Sequence, residues 1–462
     1  MTRFKYIFFF LLLFHATIGY SQTTPLKRKA ALGISLQVNN DSIALSNNLN
    51  TNEGILVLEV LPGGSAEKLG LKTNDIIVNI NQISIETIQD LHFALSNLRA
   101  EEQLSIEYLR NGKLKTTKGK AIAKPLETSD YADVYYEEVN YEGNKLRSIL
   151  HMPTGVEKPP VIFYIQGYTC QSIDFSMSPN ITIRKLIDDW VKNGYAVYRV
   201  EKPNIGDSQC DKGCMELNFS EEVEVFRQGY LRLTQDPRID PDQIFIFGHS
   251  IGGIIAPVIA SEFEPKGVIT YGTVVNTWFE YMQDLTRVQG DIFGRRDVEV
   301  EREIRTLIPF WYALFIEKKS PIEILEQPKF KALLENEGTL ADFENNLFID
   351  RHYTYWTTIQ DLALAKIWSN VKSYVLALHG EFDIQALHAD HIYQIERIVN
   401  LSSPGKASAQ LIKGADHGFV RFNSMEENIQ TLNANQYGRA LHEKYHEGIA
   451  QVTLEWMKNL SQ

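Results

Sequence analysis

Three separated stretches carry side chains that could act together on a carbonyl carbon. Residues 244–254 read IFIFGHSIGGI, an apolar run that ends with Ser250 set between Gly248 and Gly252. A serine hydroxyl is a poor nucleophile at neutral pH, so it needs exposure and a neighbouring base. Much further on, SYVLALHGEFD delivers Asp383 and AQLIKGADHGF delivers His417, each just past an apolar run. The imidazole would take the serine proton and return it to a leaving group, while the carboxylate fixes the ring tautomer and stabilises the imidazolium. None of the three works alone.

Five letters of Gly-x-Ser-x-Gly are a weak signal, and their setting makes them a strong one. At a strand-to-helix turn the two glycines let the helix approach the strand, and the turn pushes the serine oxygen out with a helix N-terminus beneath it. The same turn makes the Ile251 N–H a donor for a developing oxyanion. Glu381 and Asp416 are the rival acids. Glu381 comes two places too early in its turn, and Asp416 is too close in sequence to His417 to swing beneath it. His249 is expected to pack or to make a local hydrogen bond.

The elements needed to bring these residues together are legible from about residue 133 onward. DVYYEEVNY and KLRSILHMP alternate and flank a turn at Glu142-Gly143-Asn144, which predicts a hairpin. Then PVIFYIQG, YAVYRVEKP and IFIFGHS read as near-continuous apolar strands separated by amphipathic helical segments. That grammar means a parallel sheet covered on both faces, with chemistry collected at the carboxyl ends of its strands. The order Ser250, Asp383, His417 and the turn around Ser250 resemble the α/β-hydrolase superfamily over residues 133–462. The resemblance implies an oxyanion loop at IQGYTC, with the Tyr168 N–H as second donor, and a pocket-shaping turn at NIGDSQ (204–209). About 95 aromatic-rich residues between GVITYGTVVN and SYVLALHG read as a helical cap, about 277–370.

A smaller β-rich module precedes this domain. ALGISL, GILVLEV and DIIVNI read as short strands, TIQDLHFALSNL has helical spacing, and Pro62-Gly63-Gly64 marks a turn. These residues resemble a PDZ domain, over 28–124, with Leu32-Gly33-Ile34 where that family has its carboxylate-binding loop. The resemblance implies a peptide C-terminus held by backbone N–H groups near Gly33 and Ile34 and added as a strand to the sheet edge. Lys27, Arg28 and Lys29 just upstream suit an anion. A PDZ fold that only packs against its neighbour is the plainer alternative. The polar residues 119–130 form the expected linker, with the boundary near Lys124.

The first 21 residues, MTRFKYIFFFLLLFHATIGYS, have the basic start, short apolar core and small-residue end of a secretory signal. Export to the periplasm or beyond is therefore expected, with no stable membrane insertion after cleavage. The net charge of −12 becomes −14 without Arg3 and Lys5, which argues against a nucleic-acid partner. Cys170, Cys210 and Cys214 fit an oxidising compartment with one disulfide and one thiol left over. Cys170 with Cys214 is favoured because it ties two loops, whereas Cys210 with Cys214 closes only a small ring; three unpaired thiols are the alternative.

HEKYH at 442–446 matches a zinc signature, with Glu443 as base. A catalytic zinc also needs a third ligand, for which little chain remains, so a solvated helix face is expected and no metal or cofactor. Together these features predict an exported serine hydrolase acting on a small ester through an acyl-enzyme. A serine peptidase acting on short peptides, or a non-catalytic PDZ-based binding protein, are the alternatives.

Overall fold

The computed structural model describes residues 25–46, 52–333 and 337–460. The leader expected over residues 1–21 lies outside the described residues.

Alternating apolar residues close the first unit. Strands Ile34–Val38, Ile55–Val60, Ile76–Ile80, Gln103–Arg110 and Lys113–Lys120 form an antiparallel sheet in that order, and Ile83–Ser84 pairs with Ile76–Ile80. One face of the sheet and helix Ile88–Ser96 bury Ile55, Val57, Ile77, Ile80, Leu91 and Ile106. The helix begins where the sequence provides a capping box, Thr87 with Asp90. The turn at Asn81-Gln82 takes a left-handed backbone without glycine, at φ 47° and 72°. Side chains hold it there: Asn79 Oδ1 accepts from the Gln82 N–H at 2.9 Å, and Asn81 Oδ1 accepts from the Ser105 N–H at 2.8 Å.

The linker is strapped down. Lys124 N–H donates to the Lys29 carbonyl at 2.7 Å, and Glu127 is buried against Arg199 and Arg184, at 2.9 Å and 3.2 Å. Burial would raise the Glu127 carboxyl, but Arg199 and His151 hold it well below the usual carboxylate range. Arg28 pairs with Asp174 at 2.5 Å and Asp207 at 2.8 Å, both in the second unit. The basic segment expected to attract a ligand anion therefore has its arginine committed to the neighbouring domain.

The second unit is an eight-stranded sheet: β1 (Ala132–Tyr141), β2 (Asn144–Pro153), β3 (Val161–Ile165), β4 (Ala196–Val200), β5 (Ile244–His249), β6 (Gly267–Tyr271), β7 (Tyr374–Gly380) and β8 (Ala407–Ile412). Their spatial order is β1-β2-β4-β3-β5-β6-β7-β8. The strands from β3 to β8 run parallel, and β2 is antiparallel to both neighbours. The helices include α1 (Thr182–Lys192), α2 (Phe219–Thr234), α3 (Gly252–Phe263), α4 (Trp278–Ile292), α5 (Asp297–Phe315), α6 (Tyr353–Gln360), α7 (Leu364–Asn370), α8 (Asp390–Ser402) and α9 (Gly448–Leu460), beside Pro321–Leu325, Met425–Asn433 and Tyr437–Glu443. α1 and α9 cover one face, and α2, α3 and α8 the other. Continuously apolar strands such as VIFYI are thus buried on both sides, as their composition requires.

The segment between β6 and β7 supplies α4, α5, α6 and a small antiparallel sheet of Ala341–Asp342, Leu347–Phe348 and Arg351–His352. α7, within the range read as cap, packs instead on α3 and α8 beneath the sheet. A disulfide joins Cys170 to Cys214 and leaves Cys210 free. In the loop-entropy account a cross-link over such a span restricts the unfolded chain by about 4 kcal/mol. HEKYH does not form one helical face: its helix is Tyr437–Glu443, and His446 lies beyond it, buried with Nε2 2.9 Å from the Lys413 carbonyl. His442 is exposed. Among the described residues no group of three or more His, Cys, Asp or Glu is placed to hold a metal ion.

Candidate active site

Ser250 stands at the end of β5 with φ 56°, a left-handed conformation that an L-residue keeps only where its surroundings enforce it. Its N–H donates to the Tyr271 carbonyl at 2.9 Å, and its carbonyl accepts from the Gly253 N–H at 2.8 Å. The flanking glycines are sterically required. A Cβ at Gly248 would come within 2.3 Å of the Gly252 carbonyl oxygen, and one at Gly252 within 2.2 Å of the Ile165 oxygen.

Asp383 follows β7 and His417 follows β8, both buried. His417 Nδ1 lies 2.7 Å from Asp383 Oδ2, and Asp383 Oδ1 accepts from the Gln385 and Ala386 N–H groups at 2.8 Å each. Burial opposes both charges, yet the pair wins. Asp383 is held far below the usual carboxylate range by His417, and the imidazole is raised above its ordinary value by Asp383. Ser250 and His417 line one cavity. Among the described residues no hydrogen bond joins their side chains, and a modest side-chain rotation is what proton exchange between them requires.

The rival acids are engaged elsewhere. Asp416 accepts from the Gly418 and Val420 N–H groups at 2.9 Å and 2.8 Å and from the Tyr437 hydroxyl at 2.5 Å, so it builds the turn that carries His417. Glu381 is exposed and accepts from the Gly414 N–H. His249 has its Nε2 2.9 Å from the His417 carbonyl, and burial pushes its pKa down to about 3, so the ring is neutral and donates. It steadies the loop of His417.

Neither the Ile251 nor the Tyr168 N–H has a hydrogen-bond partner among the described residues. Gly167 lies against the Ser250 turn, with its Cβ position 3.4 Å from Ser250 Oγ. The 204–209 turn does not line the cavity. Asp207 there accepts from Arg147 Nε at 3.0 Å as well as from Arg28, which makes this turn a domain anchor. Of the cap aromatics, Trp278, Tyr281 and Trp356 line the cavity, whereas Trp311, Phe315 and Tyr355 are cap core. Trp278 and Trp356 stack at 4.5 Å. In the first unit Leu32 is buried and Gly33 has φ 73°, where a Cβ would meet Gly64 Cα at 2.8 Å. Ile34 opens a strand that pairs on one side only among the described residues.

Gly272, after β6, has no counterpart in the sequence reading. Its φ is 62°, and a Cβ there would come within 2.8 Å of both Asp383 Oδ2 and His417 Nδ1. A lone glycine closing the apolar run VITY was the available signal. Gly272→Ala is expected to lower turnover by about 10²-fold, the cost of displacing the Asp383–His417 pair by about an ångström. The left-handed alanine should cost a further 1–2 kcal/mol, roughly. Steady-state kinetics and thermal melting read the two effects separately.

This strand order, with a serine elbow after β5, is the α/β-hydrolase fold, here carried behind a PDZ domain. The PDZ family model matches residues 30–120. The chain is 35% identical over 97 residues to a probable periplasmic serine endoprotease, DegP-like, of Marinomonas sp. (strain MWYL1), a match over 21% of each chain. It is 36% identical over 86 residues to a probable periplasmic serine protease, do/HhoA-like, of Haemophilus influenzae, over 19% of this chain and 18% of that one. The chain thus spans about a fifth of the length of these relatives. Among solved structures, Est1E from Butyrivibrio proteoclasticus is similar at 14% identity, covering 70% of this chain and 98% of its own, with a TM-score of 0.42. The acylaminoacyl peptidase of Pyrococcus horikoshii is similar at 15% identity, covering 75% of this chain and 49% of its own, with a TM-score of 0.39.

Proposed function

We propose that this protein is an exported serine hydrolase that cleaves uncharged carboxylic esters through an acyl-enzyme. The carrying observation is that Ser250, on a strained elbow, faces the same cavity as an imidazole already paired with a buried carboxylate. In this reading Ser250 Oγ attacks the ester carbonyl carbon while His417 takes its proton, and the Ile251 and Tyr168 N–H groups receive the oxyanion. Collapse of the tetrahedral intermediate breaks the bond to the alkoxy group, which leaves with the proton from His417. Water then adds to the acyl-enzyme by the reverse roles, releasing the acid and restoring Ser250.

The cavity wall favours an ester over a peptide with a free amino terminus. Apart from His417 its lining among the described residues has no ionisable side chain other than the phenols of Tyr168 and Tyr281, and Trp278, Trp356, Leu285 and Ile254 make it apolar. An α-ammonium group would be desolvated there with no carboxylate among the described lining residues to meet it. Export is supported by the sequence of the leader and by the periplasmic description of the PDZ relatives. No helix among the described residues is long and apolar enough to cross a membrane.

A peptidase is the second reading, favoured by the one-sided edge strand Ile34–Val38, which could receive a polypeptide as an added strand. The test compares p-nitrophenyl esters of graded acyl length with aminoacyl anilides, after fluorophosphonate labelling has located the reactive serine. Labelling at Ser250 with ester turnover at least about 10²-fold faster is expected. Faster anilide turnover would replace the ester assignment, and no labelling at Ser250 would overturn the hydrolase reading itself.

A further inference from the structure

Behind the Gly167–Tyr168 loop lies a buried group of charges that the chemistry above does not use. Lys202 follows β4, Glu222 is in α2, and Arg351 comes down from the small sheet of the cap; all three side chains are essentially inaccessible. Lys202 Nζ is 3.0 Å from Glu222 Oε1, and Arg351 Nη2 is 2.8 Å from Glu222 Oε2. The Tyr355 hydroxyl, from α6, donates to Glu222 at 2.8 Å, and the Arg351 guanidinium lies over the Tyr355 ring at 3.8 Å. Each cation also grips one carbonyl of the loop. Lys202 Nζ donates to the Gly167 oxygen at 2.7 Å, and Arg351 Nη1 donates to the Tyr168 oxygen at 2.7 Å.

The two carbonyls flank the residue whose N–H stands unpartnered beside Ser250. In a trans peptide the C=O and N–H of one unit point opposite ways. Holding the Gly167 oxygen from behind therefore aims the Tyr168 N–H forward, and a cation on the oxygen polarises the same unit and strengthens the N–H as a donor. Two cations against one carboxylate also leave a net positive charge buried close to where negative charge would develop. Stability does not explain it, since an unneutralised buried charge costs free energy that apolar residues would not.

We infer that Lys202 and Arg351, bridged by Glu222, are positioning residues that set and polarise the Tyr168 oxyanion donor and make its geometry depend on the cap. The inference rests on the proposed role of Ser250. Burial lowers the Lys202 pKa to about 8, against the opposing pull of Glu222 and with Arg351 adding to the lowering. Tyr355, the remaining titratable group facing the cluster among the described residues, is pushed well above its usual range and stays neutral. Loss of the Lys202 proton should therefore show as an alkaline fall in kcat.

The experiment follows ester hydrolysis from about pH 6 to about pH 10 in the unaltered protein, Lys202→Met and Lys202→Arg, counting competent sites by fluorophosphonate labelling. Lys202→Met should lose about 10²-fold in kcat with KM changed less than about twofold, and should still label Ser250 to completion. The unaltered protein should lose rate above about pH 8, and Lys202→Arg, whose cation does not titrate there, should show no such fall. Should Lys202→Met fail to fold, the pH profiles of the other two decide. A kcat for Lys202→Met within about threefold of the parent, or the same alkaline fall in Lys202→Arg, overturns the inference while leaving Ser250 in place. A parent protein that neither labels at Ser250 nor turns over esters removes the reading on which it stands.

Discussion

Ser250→Ala should yield a folded protein whose ester turnover has dropped by about 10⁶-fold, the scale on which a nucleophile acting as part of a unit contributes. The argument is local. Ser250 already holds a left-handed backbone, fixed by bonds through its own N–H and carbonyl, and alanine keeps both of those bonds and nearly the same side-chain volume. The melting temperature should therefore move little while the rate collapses. Initial rates on a p-nitrophenyl ester, with calorimetry on the same samples, measure both. Residual turnover above about a hundredth of the parent rate would place the nucleophile elsewhere.

Asp383→Asn should cost about 10⁴-fold in kcat and change the shape of the pH profile. The carboxylate accepts from His417 Nδ1 at 2.7 Å, leaving Nε2 free to take the serine proton. An amide in its place can present its NH₂ to Nδ1, which puts the imidazole proton on Nε2, where it blocks proton abstraction. The sign of the pH effect follows from the raised pKa of His417. The proposed chemistry needs the neutral ring, so kcat/KM should fall as pH drops through a value above the ordinary imidazole pKa near 6.5. Without the charge of Asp383 that acid limb should move to lower pH. An acid limb unchanged in Asp383→Asn would mean that another group sets it.

The parts of this protein that rest on periodicity were open to reading from the chain. Apolar strands such as VIFYI and IFIFGH must be buried on both faces, and their alternation with helices leaves few arrangements open. The Ser250 turn was legible because two glycines and a strand-to-helix change coincide there. What escaped depends on contacts between distant segments. Lys202 follows an apolar strand and Glu222 sits among Val223, Val225 and Phe226 on the buried side of α2, yet nothing in either stretch says that the two meet. Arg351 arrives from a small sheet in a segment whose aromatic content pointed only to helices. The 204–209 turn looked like pocket wall by resemblance, but two arginines from opposite sides of the domain boundary had claimed Asp207.

The strapped linker bears on how the two halves can be taken apart. A cut near residue 125 would take away Arg28 and Lys124, the two cations that meet Asp174, and would strip Asp207 of one of its two arginines. The shortened protein would begin life with one carboxylate bare and another half-paired where a neighbour used to be. Slower hydrolysis by such a fragment would report that injury as readily as the loss of a peptide receptor, so swapping side chains along the edge strand is the cleaner dissection.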